Sequence, residues 1–250
     1  MIDPVLFKIF GFEIRYYGIL MVFAFLTGYY LLKRFAKNEK YSKDMLDDYL
    51  FFVIIAAIVG ARLFEVFFYE PSYYFSNPIQ ILYLWEGGIA SHGAMIGLFL
   101  MSYWFCKKNK ISFFKFGDYV VLALALPIAF IRIGNFINGE LVGKITLVPW
   151  AVKFNNYEGL RHPVQLYQAF TDVINFGILL QIRKIKNLPE GILVWCFFGI
   201  YSLFRFFTEF FKDLPPSYGF EYLGLNLAQW ASLVLIIVSS FMILKKLKKI

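Results

Sequence analysis

The chain has 250 residues, of which 60% are hydrophobic, 21% are aromatic and only 17% are charged. A soluble domain would be about half apolar and about a quarter charged, so this composition excludes an ordinary soluble protein and indicates several membrane-spanning helices. The net charge of +8 does not predict a nucleic-acid partner, because the basic residues are concentrated in the connections between apolar segments.

Seven apolar segments are each long enough to cross a hydrocarbon core of about 30 Å as a helix. They cover approximately residues 17–36, 49–69, 87–106, 119–138, 165–182, 191–211 and 225–244. We therefore predict an all-α integral membrane protein with one polytopic transmembrane domain over residues 1–250. The polar connection between helices four and five, at about 139–164, is predicted to form a small external head.

The basic residues favour alternate connections. Of the 25 lysines and arginines, 16 follow the first, third, fifth or seventh segment. These residues are Lys33, Arg34, Lys37, Lys40, Lys43, Lys107, Lys108, Lys110, Lys115, Arg183, Lys184, Lys186, Lys245, Lys246, Lys248 and Lys249. Because cytoplasmic loops carry an excess of Lys and Arg, this pattern predicts an external N-terminus and a cytoplasmic C-terminus. An odd number of crossings agrees with that orientation.

The first two helices place polar residues toward the outer side. Tyr16 and Tyr17 fall at the predicted outer interface, where aromatic residues commonly anchor a helix. Arg62 and Glu65 lie three residues apart on one face of helix two. Such a pair either neutralises itself or contacts a substrate, and the sequence leaves both alternatives open. The next connection, 69–85, lacks Lys and Arg and is rich in tyrosine, which is typical of an outer surface loop.

Helix three combines small residues with a titratable side chain. Gly93 and Gly97 form a face that allows close contact with another helix. His92 precedes them, and a membrane histidine commonly serves as an interhelical hydrogen-bond donor. Histidine titrates near neutrality, so proton transfer is the alternative role.

The densest set of hydrogen-bonding groups lies in the stretch from Arg132 to Lys144. Arg132 and Asn135 lie near the end of a membrane-length apolar segment, where a charge is costly without a partner or a ligand. Three glycines in this stretch let the backbone approach whatever binds there. In the following head, His162 is predicted to be solvated or to cap a helix rather than to bind a ligand.

Helix six carries a polar stripe. Tyr201, Arg205 and Glu209 are spaced four apart, so they share one face of an otherwise aromatic helix. The simplest structural explanation is an internal ion pair between Arg205 and Glu209. The two cysteines, Cys106 and Cys196, are predicted to be buried thiols, because their spacing is typical of neither a disulfide nor a metal site.

Polar residues from four predicted helices therefore fall at a similar depth in the membrane. They are Arg62, Glu65, His92, Arg132, Asn135, Arg205 and Glu209. Five of them carry charge, which would cost on the order of 10 kcal/mol without compensation, so we expect these side chains to converge on one another or on a polar ligand. Three arginines against two glutamates favour an anion, and guanidinium groups bind phosphate through bidentate hydrogen bonds. The sequence thus predicts a site for an anionic lipid head group.

Three stretches carry a resemblance to a known family. They are Gly87 to Gly93, with the sequence GGIASHG, Arg132 to Gly143, with the sequence RIGNFINGELVG, and Tyr201 to Glu209. Together they resemble the motifs of bacterial prolipoprotein diacylglyceryl transferases. Shorter matches, such as Asp3-Pro4 and His162 to Tyr167, extend the similarity over nearly the whole chain.

The resemblance implies a seven-helix, multi-pass enzyme of the bacterial cytoplasmic (inner) membrane, with its active site toward the outer leaflet. Its substrates would be phosphatidylglycerol and prolipoprotein signal peptides that contain a lipobox cysteine. The diacylglyceryl group would pass to the cysteine thiol, forming a thioether and releasing glycerol phosphate, as the first step of lipoprotein maturation. The thiolate is the competent nucleophile, so a base or a positive field must activate it. No cofactor, metal or nucleic acid is implied, and the oligomeric state is left open.

The resemblance also suggests residue roles. His92 would act as a base or orient the thiol, and Arg132 and Arg205 would clamp the phosphate. Glu140 and Glu209 would orient these groups. Substrate binding would involve Arg132 together with Tyr17, Asn135, Asn138, Gly143, Tyr201 and Arg62.

Three residues depart from the family pattern: Lys144 and Lys212 stand where arginine is frequent, and Gln168 stands where glutamate is common. Lysine keeps the charge but loses the planar fork, so bidentate roles are not expected at these two positions.

Two other functional classes compete with the enzyme. A transporter of anions or anionic lipids would also carry intramembrane arginines, although it would favour polar residues through the inner halves of the helices or an internal repeat. A purely structural membrane subunit would not need His92, Arg132 and Arg205 at one depth. The transferase is therefore the preferred interpretation.

Overall fold

The computed structural model describes residues 3–9, 12–37, 41–88, 90–214 and 221–248 of the chain. Lys40, Lys249 and Ile89 of the GGIASHG motif lie outside these ranges. The chain divides into two compact units, one formed by Met1–Phe35 and Gly117–Ile250 and the other by Ala36–Phe116.

The protein is mostly helical, and five helical stretches within the described residues are long and apolar enough to cross a membrane. They are Tyr16–Ala36, Lys43–Tyr69, Phe113–Asn138, Ile192–Glu209 and Leu227–Leu247. The prediction of an all-α membrane protein is thereby confirmed. The third and fifth predicted segments also form helices, α4 at Ser91–Lys108 and α7 at Val164–Ile182. Neither is among the five stretches that are long and apolar enough to cross a membrane, so the number of seven crossings stays a prediction.

The first unit contains α1 at Tyr16–Ala36, most of α5 at Phe113–Ala125, α6 at Pro127–Asn138, α7, α8 at Ile192–Glu209 and α9 at Leu227–Leu247. Helix α6 packs on α7, α7 on α8, and α8 on α9. The predicted helix four is confirmed as one helical stretch, Phe113–Asn138, with a one-residue break at Leu126 between α5 and α6. The break lies beside Pro127, which has no N–H to donate and is tolerated at the first position of a helix.

The second unit is built on α2 at Lys43–Phe64 and α4, which pack closely against each other. A Cβ atom added to Gly93 would lie 2.1 Å from the carbonyl oxygen of Gly60, and one added to Gly97 would lie 2.2 Å from that of Ala56. The predicted close contact at Gly93 and Gly97 is therefore confirmed, with α2 as the partner.

The connection between α2 and α4 has more regular structure than the predicted surface loop. Helix α2 continues as one π-helical turn over Glu65–Tyr69. A short helix, α3 at Pro71–Ser76, and two 3₁₀ turns, Pro78–Leu82 and Leu84–Glu86, complete it.

Three short antiparallel hairpins accompany the helices in the described residues. Strand β1 at Val5–Ile9 pairs with β2 at Phe12–Arg15, and β3 at Val152–Lys153 pairs with β4 at Leu160–Arg161. Strand β5 at Glu221–Tyr222 pairs with β6 at Leu225–Asn226. The β3–β4 hairpin lies within the connection 139–164, where the external head was predicted.

Polar side chains fix the starts of two helices. Asn226 and Gln229 form a reciprocal capping box at the start of α9. The carboxylate of Asp118 on α5 accepts hydrogen bonds from the backbone N–H groups of Gly191, at 2.6 Å, and Val194, at 3.0 Å, at the start of α8. Both cysteines are free; Cys106 is buried and Cys196 is half-buried.

Candidate active site

The run of asparagines, glycine and glutamate from Asn135 to Glu140 forms the C-terminal cap of α6. Gly139 ends the helix in the left-handed region, at φ 69°, which costs glycine little. The chain then turns back, so the carboxylate of Glu140 accepts hydrogen bonds from Asn135 Nδ2 at 2.9 Å and Asn138 Nδ2 at 3.0 Å. The spacing of the motif therefore fixes the carboxylate against the last turn of its own helix.

Two further contacts hold this turn in place. The buried amide of Gln165, at the start of α7, donates to the backbone carbonyl of Glu140. The ring of Tyr17 lies against Gly134, where an added Cβ atom would be 2.7 Å from a ring carbon. Tyr17 therefore lies beside the helical turn that carries Arg132 and Asn135.

A tyrosine hydroxyl joins the two arginines of the first unit. Arg132 Nη2 donates to Tyr201 Oη at 3.2 Å, and Arg205 Nη1 donates to the same oxygen at 3.5 Å, the long limit of a hydrogen bond. Both guanidinium groups are half-buried. The structure thus brings two like charges, from α6 and α8, to one oxygen atom.

The two arginines and Tyr201 line a small cavity with four other polar residues. These are Gln168, Thr171 and Asp172 of α7 and Thr208 of α8. Arg132 Nε and Asp172 Oδ2 are both buried and have no hydrogen-bond partner among the described residues. Sequence reasoning missed Asp172, although a lone acid within a predicted membrane segment was a signal that could have found it.

The predicted ion pair between Arg205 and Glu209 was wrong, because Glu209 pairs with Lys212 instead. Lys212 Nζ lies 2.9 Å from Glu209 Oε2, and both residues are buried. Burial lowers the pKa of Lys212 below its ordinary value, while the neighbouring Glu209 carboxylate opposes that shift. Lysine, which stands here where the family often has arginine, therefore still forms a buried ion pair with Glu209. The guanidinium of Arg205 contacts Tyr201 instead.

The head is fastened to the chain beyond α8 by what we call the clasp, residues 142–144 paired with residues 211–213. Lys144 N donates to Phe211 O at 2.8 Å, and Asp213 N donates to Val142 O at 3.0 Å. Arg161, which is buried, donates to the Gly143 carbonyl at 3.1 Å and to the Asp213 carboxylate.

Gly143 has a structural reason to be glycine. An added Cβ atom would lie 2.4 Å from the carbonyl oxygen of His162, so a side chain would disturb the hydrogen bond that Gly143 N donates to that oxygen at 3.1 Å. His162 Nδ1 lies 3.1 Å from Tyr167 Oη, and Trp150 Nε1 donates to that hydroxyl at 2.7 Å. His162 is half-buried and belongs to the attachment of the head, so it is neither the solvated nor the helix-capping residue that was predicted.

His92 lies in the second unit, beside the π-helical turn. Its Nδ1 atom lies 2.9 Å from Tyr69 Oη, and the histidine is exposed at the start of α4. Single π-helical turns occur often at functional sites because they redirect the side chains that follow. Tyr69 orients the imidazole and leaves Nε2 as the other available ring nitrogen.

Arg62 is the most heavily bonded side chain of the second unit. Its Nε, Nη1 and Nη2 atoms donate to the backbone carbonyls of Gln80, Ile81, Tyr83, Gly87 and Gly88 and to the hydroxyl of Tyr74. These acceptors use all the guanidinium donors. Arg62 lies 5% exposed beside a cavity of about 370 Å³ that Glu65 also lines, but it organises the 74–88 connection rather than pairing with Glu65.

The predicted site residues thus form local groups. Arg132, Arg205 and Tyr201 form one group, and Asn135, Asn138 and Glu140 form another in the same unit. His92 and Arg62 belong to the second unit. The convergence of His92 with the arginines of the first unit stays a prediction.

Comparison with known proteins identifies the family of the chain. A family model described as prolipoprotein diacylglyceryl transferase matches residues 4–245. The chain belongs to this family. The family identification made from the three sequence stretches is therefore confirmed.

Curated relatives of the family are similar over most of the chain. A protein of Polynucleobacter asymbioticus is 36% identical over 248 residues, covering 96% of this chain and 95% of the relative. A protein of Campylobacter lari is 37% identical over 261 aligned residues, covering 99% of this chain and 95% of the relative. One of Geobacter sulfurreducens is 36% identical over 222 residues, covering 87% and 85%. Each is named a phosphatidylglycerol–prolipoprotein diacylglyceryl transferase.

Proposed function

We propose that the protein transfers the diacylglyceryl group of phosphatidylglycerol to the lipobox cysteine thiol of prolipoproteins. The observation that carries the proposal is the Tyr201 hydroxyl, which accepts from both Arg132 and Arg205. Family membership and the names of the relatives support the same activity.

Two guanidinium groups held at one oxygen repel each other unless an anion lies between them. A lipid phosphodiester supplies that anion, and charge-assisted hydrogen bonds from arginine to phosphate are strong and directional. Because the charge on the phosphate grows as the lipid is cleaved, donors already aimed at this position stabilise the transition state more than the ground state.

In the proposed reaction, the cysteine thiol first gives its proton to a base, and the thiolate attacks the diacylglyceryl carbon that is bonded to the phosphate oxygen. A C–S bond forms as that C–O bond breaks, and the bonding electron pair stays on the phosphate oxygen. Glycerol phosphate leaves as a phosphomonoester, and the proton that the base took is later released. Atoms and charge balance without a cofactor or a metal.

The residue roles follow from these needs. Arg132 and Arg205 hold the phosphate, with Tyr201 between them. Glu140 fixes the end of α6 through Asn135 and Asn138. Gly143 permits the close approach of His162, and Tyr17 supports the turn that carries Arg132. Glu209 forms an ion pair with Lys212.

His92 takes the proton from the thiol or orients the thiol, and Tyr69 sets which ring nitrogen of His92 is free. Arg62 acts through the connection before α4, because its own donors are already used.

The proposal includes a membrane arrangement. The protein is a multi-pass, single polytopic domain in the bacterial inner membrane, with seven crossings, an external N-terminus and a cytoplasmic C-terminus. The head at about 139–164 and the active site face the outer leaflet. The alternating basic connections support this orientation. A transporter of anions or anionic lipids is not favoured, because the relatives are all transferases by name.

The test uses the purified full-length protein with phosphatidylglycerol and a lipobox peptide that carries either Cys or Ser at the acceptor position. We expect glycerol phosphate release and the mass increase of one diacylglyceryl group with the Cys peptide alone. Arg132→Ala should reduce both products at least about a hundredfold, as expected for the loss of a transition-state donor. Lipid binding without either product, in folded wild-type protein, would favour the transporter instead.

A further inference from the structure

The cavity beside the arginines contains a negative charge that the proposed reaction does not use. Asp172 lies on α7 with 4% of its surface exposed, and its Oδ2 atom has no hydrogen-bond partner among the described residues. It lines the same cavity as Arg132 and Arg205. A buried carboxylate is costly unless neighbouring cations offset it, so its presence beside a phosphate site requires an explanation.

When Asp172 is ionised, the charges around this cavity leave one positive charge in excess. Two arginines and one aspartate line it, and the other lining residues, Gln168, Thr171, Tyr201 and Thr208, are ordinarily neutral. The nearby Glu209 and Lys212 neutralise each other as an ion pair. Glu140 accepts from two asparagine amides and does not line the cavity.

We propose that Asp172 is a specificity-determining residue that sets the site to accept a phosphodiester and to release a phosphomonoester. A phosphodiester carries one negative charge and matches the single positive charge of the lining. A phosphomonoester carries close to two charges at neutral pH, because its second ionisation has a pKa of about 6. With the monoester bound to Arg132 and Arg205 beside this cavity, one negative charge is therefore left uncompensated.

This inference rests on the proposed function, because the phosphodiester is the lipid substrate and the monoester is the product. When the C–O bond of the lipid breaks, the electron pair and the new charge remain on the phosphate oxygen, and the thiol proton is on the base. From that moment the charge of the ligand no longer equals the single positive charge of the lining. Since an excess charge is far more costly in a low-dielectric cavity than in water, Asp172 favours the departure of glycerol phosphate.

The chain offers a matched control one helical turn away. Gln168 lies four residues before Asp172 on α7 and lines the same cavity. Gln168→Glu adds a second carboxylate, whereas Asp172→Asn removes the first with almost no change of shape. The double variant Gln168→Glu/Asp172→Asn restores the number of charges and moves the carboxylate by one turn.

The experiment measures the affinity of the purified full-length protein for two water-soluble probes, glycerol 1-phosphate and glycerophosphoglycerol. The first is a monoester and the second is a diester of similar chemistry. We expect wild type to prefer the diester. Asp172→Asn should strengthen monoester binding about tenfold relative to the diester, the scale of one buried charge several ångströms away. Gln168→Glu should shift the ratio in the opposite direction, and the double variant should restore it.

A purely structural role for Asp172 would change stability or both affinities together and leave their ratio unchanged. An unchanged ratio in folded Asp172→Asn protein would therefore overturn the inference. If Asp172→Asn does not fold, an unchanged ratio in Gln168→Glu has the same meaning. If Arg132→Ala binds both probes as tightly as wild type, the phosphate does not bind at these arginines and the inference fails with that assignment, whereas failure of the transferase activity would show as absent products with the Cys peptide.

Discussion

At the scale of single residues, the Tyr201 hydroxyl is the point where the two arginines meet. Its ring stacks on Phe197 with the centroids 6.0 Å apart, so Tyr201→Phe keeps the packing and removes only the shared acceptor. We expect transfer to fall about tenfold, because the guanidinium groups lose their common orientation. Steady-state kinetics with the Cys peptide would measure this. A variant with wild-type kinetics would show that the arginines are aligned by other groups.

Lys212 gives a stability prediction at the same scale. Lys212→Met leaves the buried Glu209 carboxylate without its partner, which typically costs about 3–5 kcal/mol. Lys212→Arg keeps the charge and should cost much less. Thermal unfolding in detergent would compare the two, and Glu209→Gln/Lys212→Met should recover much of the loss. Equal unfolding midpoints for Lys212→Met and wild type would contradict the buried pair.

The sequence predicted most of the polar residues of the site but not the residues that they contact. Glu209 can reach Arg205 four residues before it or Lys212 three residues after it, and both spacings are equally compatible with one helix face. Tertiary packing decides between them, because Arg205 turns toward Tyr201 and α6. The carbonyl groups around Arg62 were also beyond sequence reasoning, since backbone acceptors have no sequence signature.

At the scale of helices, a side chain of α5 caps α8. Asp118→Ala removes the acceptor for the N–H groups of Gly191 and Val194, and should cost about 1–2 kcal/mol of stability. Asp44→Ala is a suitable control, because Asp44 lies exposed in the first turn of α2 and should matter by less than about 0.5 kcal/mol. Unfolding midpoints of both variants in one detergent test the difference. Similar losses would mean that Asp118 is not the cap.

Hydrophobic length predicted the helices better than their irregularities. The predicted segments 17–36 and 165–182 differ by one residue at most from the helices Tyr16–Ala36 and Val164–Ile182. The break before Pro127 and the π-helical turn at Glu65–Tyr69 were missed, because an apolar run looks the same whether or not its helix is regular. The π-helical turn matters most for the site, since it brings Tyr69 to His92.

At the scale of the whole molecule, the proposed orientation can be tested by labelling. Leu147 in the head is 94% exposed, and Lys184 follows α7. In a variant whose two native cysteines are replaced by alanine, Leu147→Cys should react with a membrane-impermeant maleimide in intact spheroplasts. Lys184→Cys should react only after permeabilisation. The reverse pattern would place the head in the cytoplasm and contradict the positive-inside assignment.

The clasp also joins two segments that are made far apart in time. Residues 142–144 leave the ribosome early, but the segment that pairs with them, residues 211–213, is made only after α7 and α8. Arg132 is likewise made before Arg205, with which it shares the Tyr201 hydroxyl. A nascent chain therefore has an unfastened head, and only one of the two arginines that share the Tyr201 hydroxyl, until α8 has been made.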